Sequence, residues 1–388
     1  MLQLSLSRIL LIVIALILYG SLYPWEWRLE PIQHPLQHLL RDFHRTPDRF
    51  LLRDVFINIL LYLPLGVSAF LALKHFKSST TRLAAAVIFG LILSTLVEVL
   101  QLGSRGRYPS LVDVVANGLG SLLGALLAVM FRSRLAAIVN RSRRRAGQDI
   151  AAFGLLTCWY AMLLTPFFPV LGRTHLLLRI EQYFASGSFH FVPFVSALVS
   201  VACAGYLLQA CGMKRVQPYL VASTFLFPCQ LFIVSRQPEL SEWLGAGLGC
   251  IAFLRLPHRP RLIGWSFFGV VVLRGLAPFT FREGMMTMSW IPFGGFLGMA
   301  WQAGVEVLLE KCFYYGAALW TLRYAGMRLS IATATVAGAL AIIEVAQMHL
   351  PRRTPEITDP ILAILLGIVL DSLAKTEYPG REGAGPVV

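Results

Sequence analysis

The sequence predicts an all-α, polytopic integral membrane protein with about twelve transmembrane helices, arranged as three diverged four-helix repeats. Three observations predict this fold class. The 388 residues are 56% hydrophobic and only 14% charged, whereas a soluble domain carries roughly 25% charged residues. Apolar runs of about 20 residues, the length that crosses a bilayer, recur along the whole chain. A set of polar residues at fixed spacing also recurs three times, which is typical of internal duplication.

The apolar runs predict the helices in order. The first run ends at Tyr23-Pro24-Trp25 and not at a small-residue cleavage site, so we interpret it as a retained helix and not as a signal peptide. The predicted helices lie near 8–24, 54–74, 82–102, 110–131, 150–169, 192–211, 217–234, 240–256, 262–279, 306–325, 330–350 and 357–374.

The basic residues predict the orientation. The net charge is +14, and Lys and Arg of membrane proteins concentrate on cytoplasmic loops. We interpret the charge as this topology signal and not as a nucleic-acid surface. The densest basic stretch, 132–149, is predicted to be a cytoplasmic linker. With an even number of spans, both termini are then cytoplasmic and the chain is a multi-pass protein of the cell membrane.

The six cysteines lack CxxC spacing, so neither a disulfide framework nor a metal site is predicted, and the sequence indicates no cofactor.

The apolar runs, the basic stretch and the polar sets divide the chain into segments. The predicted segments are a first repeat (1–131), the basic linker (132–149), a second, degenerate repeat (150–261), a third repeat (262–374) and a disordered tail (375–388).

The repeated polar set carries the evidence for duplication. Its members follow the first position by 3, 9, 11 and 15 residues in all three copies. Each repeat also opens with an apolar helix that ends in a proline–aromatic corner: Pro24-Trp25, Pro166-Phe167 and Pro278-Phe279. The three polar sets are Glu98, Gln101, Arg107, Pro109 and Asp113; Phe227, Gln230, Arg236, Pro238 and Glu242; and Glu344, Gln347, Arg353, Pro355 and Asp359.

The spacing predicts a polar cluster at a helix hairpin. Residues three or four apart share a helix face, so Glu98 at one helix end and Asp113 at the next helix start come together across the turn. A carboxylate inside a bilayer is costly unless paired. We therefore expect Arg107 to bridge the two acids, because its planar fork can serve both. The cluster either fastens the hairpin or binds a ligand; the second repeat lacks the first acid, which favours fastening there.

The first repeat contains, in chain order, Asp54 and Asn58, a Pro64-Leu-Gly66 run, the Glu98 and Gln101 pair, Arg107, Asp113 and Asn117-Gly118. With this order of residues it resembles the VanZ-like family of bacterial membrane proteins. The resemblance covers about residues 10–130, and the third repeat, 262–372, is a weaker copy in which Ala363 stands at the position of Asn117. It implies a cell-envelope protein of the cytoplasmic membrane, in a family whose namesake is associated with teicoplanin resistance. The matching residues are Asp54-Val-Phe-Ile-Asn58, Pro64-Leu-Gly66, Glu98-Val-Leu-Gln101, Arg107, Ser110, Asp113 and Asn117-Gly118.

These residues predict a binding protein whose partner is a membrane lipid or a lipid-linked cell-wall precursor. Arg, amide and carboxylate groups would hold its polar headgroup. Two alternatives remain: a membrane enzyme acting on a lipid-linked substrate, and, less favoured, a transporter. No catalytic residue is assigned. The candidate ligand-binding residues are Asp54, Asn58, Glu98, Gln101, Arg107, Ser110, Asp113 and Asn117, with a second cluster of Glu344, Gln347, Arg353, Glu356 and Asp359.

Overall fold

The described part of the chain is all-α and forms two compact units, Met1–Arg144 and Arg145–Val388. The predicted disordered tail lies outside the described residues from residue 378 onward, and so does the predicted corner Pro166-Phe167. The computed structural model describes residues 2–28, 35–40, 49–73, 75–76, 78–105, 107–142, 149–165, 170, 172–185, 189–234, 236–257, 259–298, 301–351 and 353–377.

In the N-terminal unit α3 contacts α1, α4 and α5, and α4 also contacts α1 and α5. Helix α5 continues to Ser142, through most of the segment that the sequence predicts as a linker, because no Pro or Gly interrupts it there. Its apolar span ends at Met130. The helices are α1 (Leu2–Leu22), α2 (Pro35–Leu40), α3 (Arg49–Ala72), α4 (Ser79–Leu102) and α5 (Leu111–Ser142).

The C-terminal unit contains one hydrophobic core, in which Trp159, Phe267 and Phe313 are fully buried. Its helices are α6 (Ile150–Leu164), α7 (Arg173–Ala185), α8 (Phe191–Ala210), α9 (Gln217–Thr224), α10 (Leu226–Cys229), a 3-10 turn (Gln230–Phe232), α11 (Leu240–Arg255), α12 (Pro260–Leu276), α13 (Gly294–Gly298), α14 (Trp301–Tyr324), α15 (Leu329–Gln347) and α16 (Thr358–Glu377).

Two helix predictions in this unit were wrong. The predicted helix 217–234 is broken into α9, α10 and a 3-10 turn, where Pro228 has no amide hydrogen to donate to the preceding turn. Helix α7 was not predicted, because its polar composition resembles that of a loop.

Five described helices are long and apolar enough to cross a membrane, and two shorter helices are also apolar. The chain is therefore a multi-pass, all-α membrane protein. The five spans are Asp54–Ala72, Ser79–Leu102, Leu111–Met130, Phe191–Ala210 and Leu329–Gln347; the shorter apolar helices are Leu6–Leu22 and Ile150–Leu164.

The corners after α1 and α12 have the same backbone form. Tyr23-Pro24 and Ala277-Pro278 are cis peptide bonds. The aromatic residues that follow, Trp25 and Phe279, have φ angles of 60° and 61°. Each corner turns the chain back from the end of its apolar helix.

Glycines allow α11 to cross α8 at backbone contact distance. A Cβ atom on Gly249 would lie 2.2 Å from the carbonyl oxygen of Leu198, and one on Gly245 would lie 2.1 Å from that of Phe194. Small residues at such crossings are the usual means of close helix packing in membranes. Gly247, on the same helix, has nothing within 4 Å of its ideal Cβ position.

Gly249→Ala should therefore destabilise the protein, and Gly247→Ala should not. The added methyl at Gly249 meets main chain that cannot rotate away, and overpacking of this kind costs about 1–3 kcal/mol. At Gly247, alanine gains about 1 kcal/mol of helix propensity. Melting temperatures of the two variants in detergent would check this expectation; equal melting temperatures would contradict the close crossing.

Candidate functional site

Arg107 caps the end of α1 instead of bridging two acids. Its Nε donates to the carbonyl oxygen of Tyr23 at 2.6 Å, and its Nη2 donates to that of Gly20 at 3.0 Å. The last carbonyls of a helix have no partner within the helix and carry the negative end of its dipole. A guanidinium placed there satisfies two of them and neutralises that end.

The equivalent arginines make the same pair of bonds. Arg353 donates through Nε to Ala277 at 2.9 Å and through Nη2 to Arg274 at 2.7 Å, at the end of α12. Arg236 donates through Nε to Thr165 at 2.9 Å and through Nη2 to Met162 at 2.5 Å, at the end of α6. The accepting carbonyls are three residues apart each time. The predicted carboxylate bridge is corrected accordingly: helix-end carbonyls, not Glu or Asp side chains, receive these bonds.

Both guanidinium groups in the first and third turns are partly shielded from water. Burial lowers the pKa of Arg107 from its ordinary value, while the negative charge of Glu98 opposes that shift. Burial also lowers the pKa of Arg353, and the positive charge of Arg274 acts in the same direction. An arginine remains protonated at neutral pH despite such shifts, because its ordinary pKa lies above 12.

The first acid and the amide of the polar set fasten the same corner. Glu98 Oε2 accepts the main-chain N–H of Ser110 at 2.8 Å, just before α5. Gln101 Nε2 donates to the carbonyl oxygen of Ser21 at 2.7 Å. A carboxylate near a helix N-terminus is stabilised by the positive end of the dipole. The third polar set repeats both bonds: Glu344 Oε2 accepts from Glu356 N at 2.7 Å, and Gln347 Nε2 donates to Gly275 O at 2.9 Å.

The remaining candidates of the first cluster are spread over different depths. Asn117 is buried, donates to Ser94 Oγ at 2.8 Å and leaves its Oδ1 without a partner among the described residues. Asp113 is half-buried in the first turn of α5. Asp54 is exposed and Asn58 is half-buried on α3, so neither shares the burial of Glu98.

A cavity of about 350 Å³ lies in the C-terminal unit, and every residue of the second cluster lines it. These residues come from the end of α15, the following turn and the start of α16. The segment between α12 and α14 also contributes: Gly295 and Phe296 of α13 line the cavity, and Phe293 N, just before α13, donates to Thr358 Oγ1 at 2.7 Å. The sequence pattern therefore indicated one set of side chains that the fold brings together around an open volume.

Charged residues of α12 and α14 also line this cavity, and the sequence analysis missed them. Lys311 donates to Asp359 Oδ1, and Tyr315 donates its hydroxyl to Asp359 Oδ2 at 2.6 Å. Arg274 forms an ion pair with Glu310 and lies over the ring of Tyr314, 4.2 Å from the ring centroid. The available signal was Glu306, Glu310 and Lys311 within the predicted transmembrane helix 306–325, since ionisable residues in a predicted span indicate function by default.

The charged side chains of the cavity differ in burial. Glu344 is 2% exposed and Asp359 is 8% exposed at its side chain, whereas the side chains of Lys311 and Arg274 are 26% and 31% exposed. These two acids are therefore the most buried of the four, while Glu310, the partner of Arg274, is 35% exposed at its side chain. Within the described residues, no group of three His, Cys, Asp or Glu side chains has the geometry of a metal site.

The second polar set recruits an acid from another helix. Phe227 occupies the position of the missing first acid, and Arg236 Nη1 pairs with Glu306 Oε1 of α14 at 2.8 Å. Glu242 forms a capping box with Glu239 at the start of α11. This turn keeps the fastening arginine and gains an ion pair within the C-terminal unit.

These features define a multi-pass membrane protein whose hairpin turns carry buried, hydrogen-bonded charges. Residues 8–132 match the family model described as VanZ/LLP1, which confirms the resemblance found in the sequence. The N-terminal stretch of the chain is therefore VanZ-like, and the match ends before the C-terminal unit begins. Neither the curated proteins nor the solved structures contain a significant match to the chain.

Proposed function

We propose that the protein binds the polar headgroup of a membrane lipid, or of a lipid-linked cell-wall precursor, in the cell envelope. The observation that carries this proposal is the cavity of about 350 Å³ lined by all five residues of the second cluster. Because of the family resemblance, the proposal also includes a role in resistance to teicoplanin-type glycopeptides. The C-terminal cavity is the better-supported site of the two predicted clusters, because all five residues of the second cluster line one cavity, whereas the fastening contacts are common to both clusters.

The presence of both acids and cations in the cavity lining favours a zwitterionic headgroup. An ammonium group would lie against the carboxyl groups of Glu344, Glu356 and Asp359, which all line the cavity. A phosphate would lie nearer the more exposed Lys311 and Arg274. Hydrogen bonds between charged partners are roughly twice as strong as neutral ones, and each end of such a headgroup would find an opposite charge.

Catalysis on a lipid-linked substrate is the second candidate function. Glu344 and Asp359 lie close enough for their side chains to interact directly. Two carboxyl groups in one cavity can divide acid and base roles when their environments differ. A transporter is less favoured, because the two candidate clusters predicted from the sequence lie at helix ends beside turns, although Glu310 and Lys311 of the cavity lie midway along α14.

The three-repeat, twelve-span architecture with both termini cytoplasmic is also part of this proposal. The matching arginine bonds at the ends of α1, α6 and α12 support three copies in parallel orientation. Parallel copies would have all three turns on the same side of the membrane, and the distribution of basic residues among the loops favours the extracytoplasmic side.

Cysteine labelling would test this topology. Arg105→Cys and Thr354→Cys, both at exposed positions, should react with a membrane-impermeant maleimide in intact cells, in a background without other reactive cysteines. Phe76→Cys, in the loop after α3, should react only after the membrane is opened. Labelling of Arg105→Cys and Thr354→Cys from opposite sides would refute the parallel repeats.

Lipid retention would test the binding function. We expect protein from nanodiscs of equal phosphatidylethanolamine and phosphatidylglycerol to retain phosphatidylethanolamine preferentially in native mass spectrometry. Glu356→Gln should lower that preference about 10-fold, since a hydrogen bond to a charged group contributes about 1.5–3 kcal/mol. Glu283→Gln, at an exposed position outside the cavity, is the control. Equal retention of both lipids by the unmodified protein would refute the headgroup proposal.

A further inference from the structure

A second, smaller chamber of about 90 Å³ adjoins the large cavity. The two share Arg274, Glu310 and Tyr314 in their walls. The rest of the smaller chamber is built largely from α6, α8 and the turn that carries Arg236. The second repeat, which lacks the first acid of its polar set, thus contributes a wall to a composite space.

Two buried polar atoms in that wall have no hydrogen-bond partner among the described residues. They are Nε1 of Trp159 and Oγ of Ser196, in side chains that are 0% and 2% exposed. Both residues line the smaller chamber. An unpaired buried donor costs about 1–3 kcal/mol, and native proteins retain few of them, usually with a reason such as a bound water or ligand.

The charged side chains of the chamber are already engaged. Arg236 pairs with Glu306 and caps α6. Glu242 accepts the main-chain N–H of Glu239 at 3.2 Å, and Glu310 pairs with Arg274. The unsatisfied groups are therefore neutral, and an indole N–H can only donate. A chamber that is polar and roomy enough for a few water-sized groups suits an oxygen that accepts such bonds.

We propose that the smaller chamber is a second subsite of the same ligand site. An uncharged carbonyl or hydroxyl oxygen of the ligand would accept hydrogen bonds there from Trp159 and Ser196. This inference rests on the proposed headgroup function and narrows the ligand class. The headgroup then carries an ammonium for the carboxyl groups of the large cavity and a neutral oxygen beside it. An aminoacyl ester of a phospholipid headgroup has this combination, whereas phosphatidylethanolamine has the ammonium and phosphate alone.

The test compares alanyl-phosphatidylglycerol with phosphatidylethanolamine, mixed in equal amounts in nanodiscs, by native mass spectrometry. The unmodified protein should retain alanyl-phosphatidylglycerol about 5-fold over phosphatidylethanolamine, as expected for one or two neutral hydrogen bonds. Trp159→Phe and Ser196→Ala should each bring this ratio close to one. Ser196→Ala removes no existing side-chain hydrogen bond, so its melting temperature should stay near that of the unmodified protein. Trp159→Phe shortens a fully buried core side chain and should lower the melting temperature moderately, so Ser196→Ala is the variant that separates ligand binding from stability. Trp265→Phe, at a half-exposed tryptophan, is the matched control.

The outcomes separate the two proposals. Equal retention of the two lipids, with the Glu356-dependent preference for phosphatidylethanolamine over phosphatidylglycerol intact, overturns the subsite and leaves the headgroup function standing. Retention that depends on neither Glu356 nor Trp159 overturns both. Excess free alaninamide, which carries the same ammonium and carbonyl, shows whether the ligand is soluble or a lipid. Displacement of the lipid by alaninamide supports a subsite for a soluble ligand. Persistence of the 5-fold ratio supports a subsite for a lipid headgroup.

Discussion

Asp359→Asn should cause one of the largest losses of stability among single substitutions in the C-terminal unit. The carboxylate receives bonds from both Lys311 and Tyr315, and its side chain is 8% exposed. Removing one member of a buried pair leaves an uncompensated charge, which costs about 3–5 kcal/mol. Unfolding in mixed detergent would measure the loss. Asp371→Asn, at a half-buried position on the same helix, should cost clearly less.

A double substitution at Lys311 and Asp359 separates a role of this ion pair in stability from a role in ligand binding. Lys311→Met with Asp359→Leu removes both charges and keeps similar volume, and apolar replacement of a buried pair is often neutral or stabilising. We expect the double variant to regain part of the stability that Asp359→Asn loses, because the charges are gone but the buried hydroxyl of Tyr315 has lost its acceptor. It should still lose the preference for phosphatidylethanolamine and any glycopeptide-resistance phenotype. Full lipid preference in the double variant would mean that the pair only fastens α14 to α16.

Arg107→Met should be the second large effect, in the N-terminal unit. It removes two charge-assisted bonds to the end of α1, each with a contribution of about 1.5–3 kcal/mol, and exposes the negative end of the helix dipole. Arg107→Lys should recover less than half of the loss, because one ammonium lacks the planar fork that serves two carbonyls at once.

Melting temperatures in detergent would measure these changes, with Arg105→Met as the control two residues away at an exposed position. An unchanged melting temperature in Arg107→Met, combined with loss of lipid binding, would contradict the capping role and favour a ligand-binding role for this arginine.

Composition and the recurring apolar runs were sufficient to predict a multi-pass helical protein, and the resemblance of its motif residues to a known family predicted the VanZ-like first segment. The second candidate cluster was predicted to share one location, and all five of its residues, from α15, the following turn and α16, line one cavity. The spacing predicted the wrong hydrogen-bond partners for the arginines. It relates the two helices of one hairpin and contains no information about the end of another helix. The carbonyls of Gly20 and Tyr23 lie more than 80 residues from Arg107.

The charged residues of α14 illustrate a second limit of sequence reasoning. Lys311 and Glu310 belong to no repeated motif, so only three-dimensional packing brings them beside Asp359 and Arg274. The break between α9 and α10 was missed for a local reason. The apolar run continues through Pro228, and hydropathy does not register its missing amide hydrogen.

The ion pair between Arg236 and Glu306 has a consequence for the order of events during biosynthesis. Glu306 lies 70 residues after Arg236, and a ribosome adds roughly 5–20 residues per second. The arginine therefore enters the bilayer seconds before its acidic partner exists. During that interval the carbonyls at the end of α6, already synthesised, are available to hold the guanidinium. Translation pausing after α11 would prolong this half-assembled state, and truncated chains ending before α14 would be arrested in it.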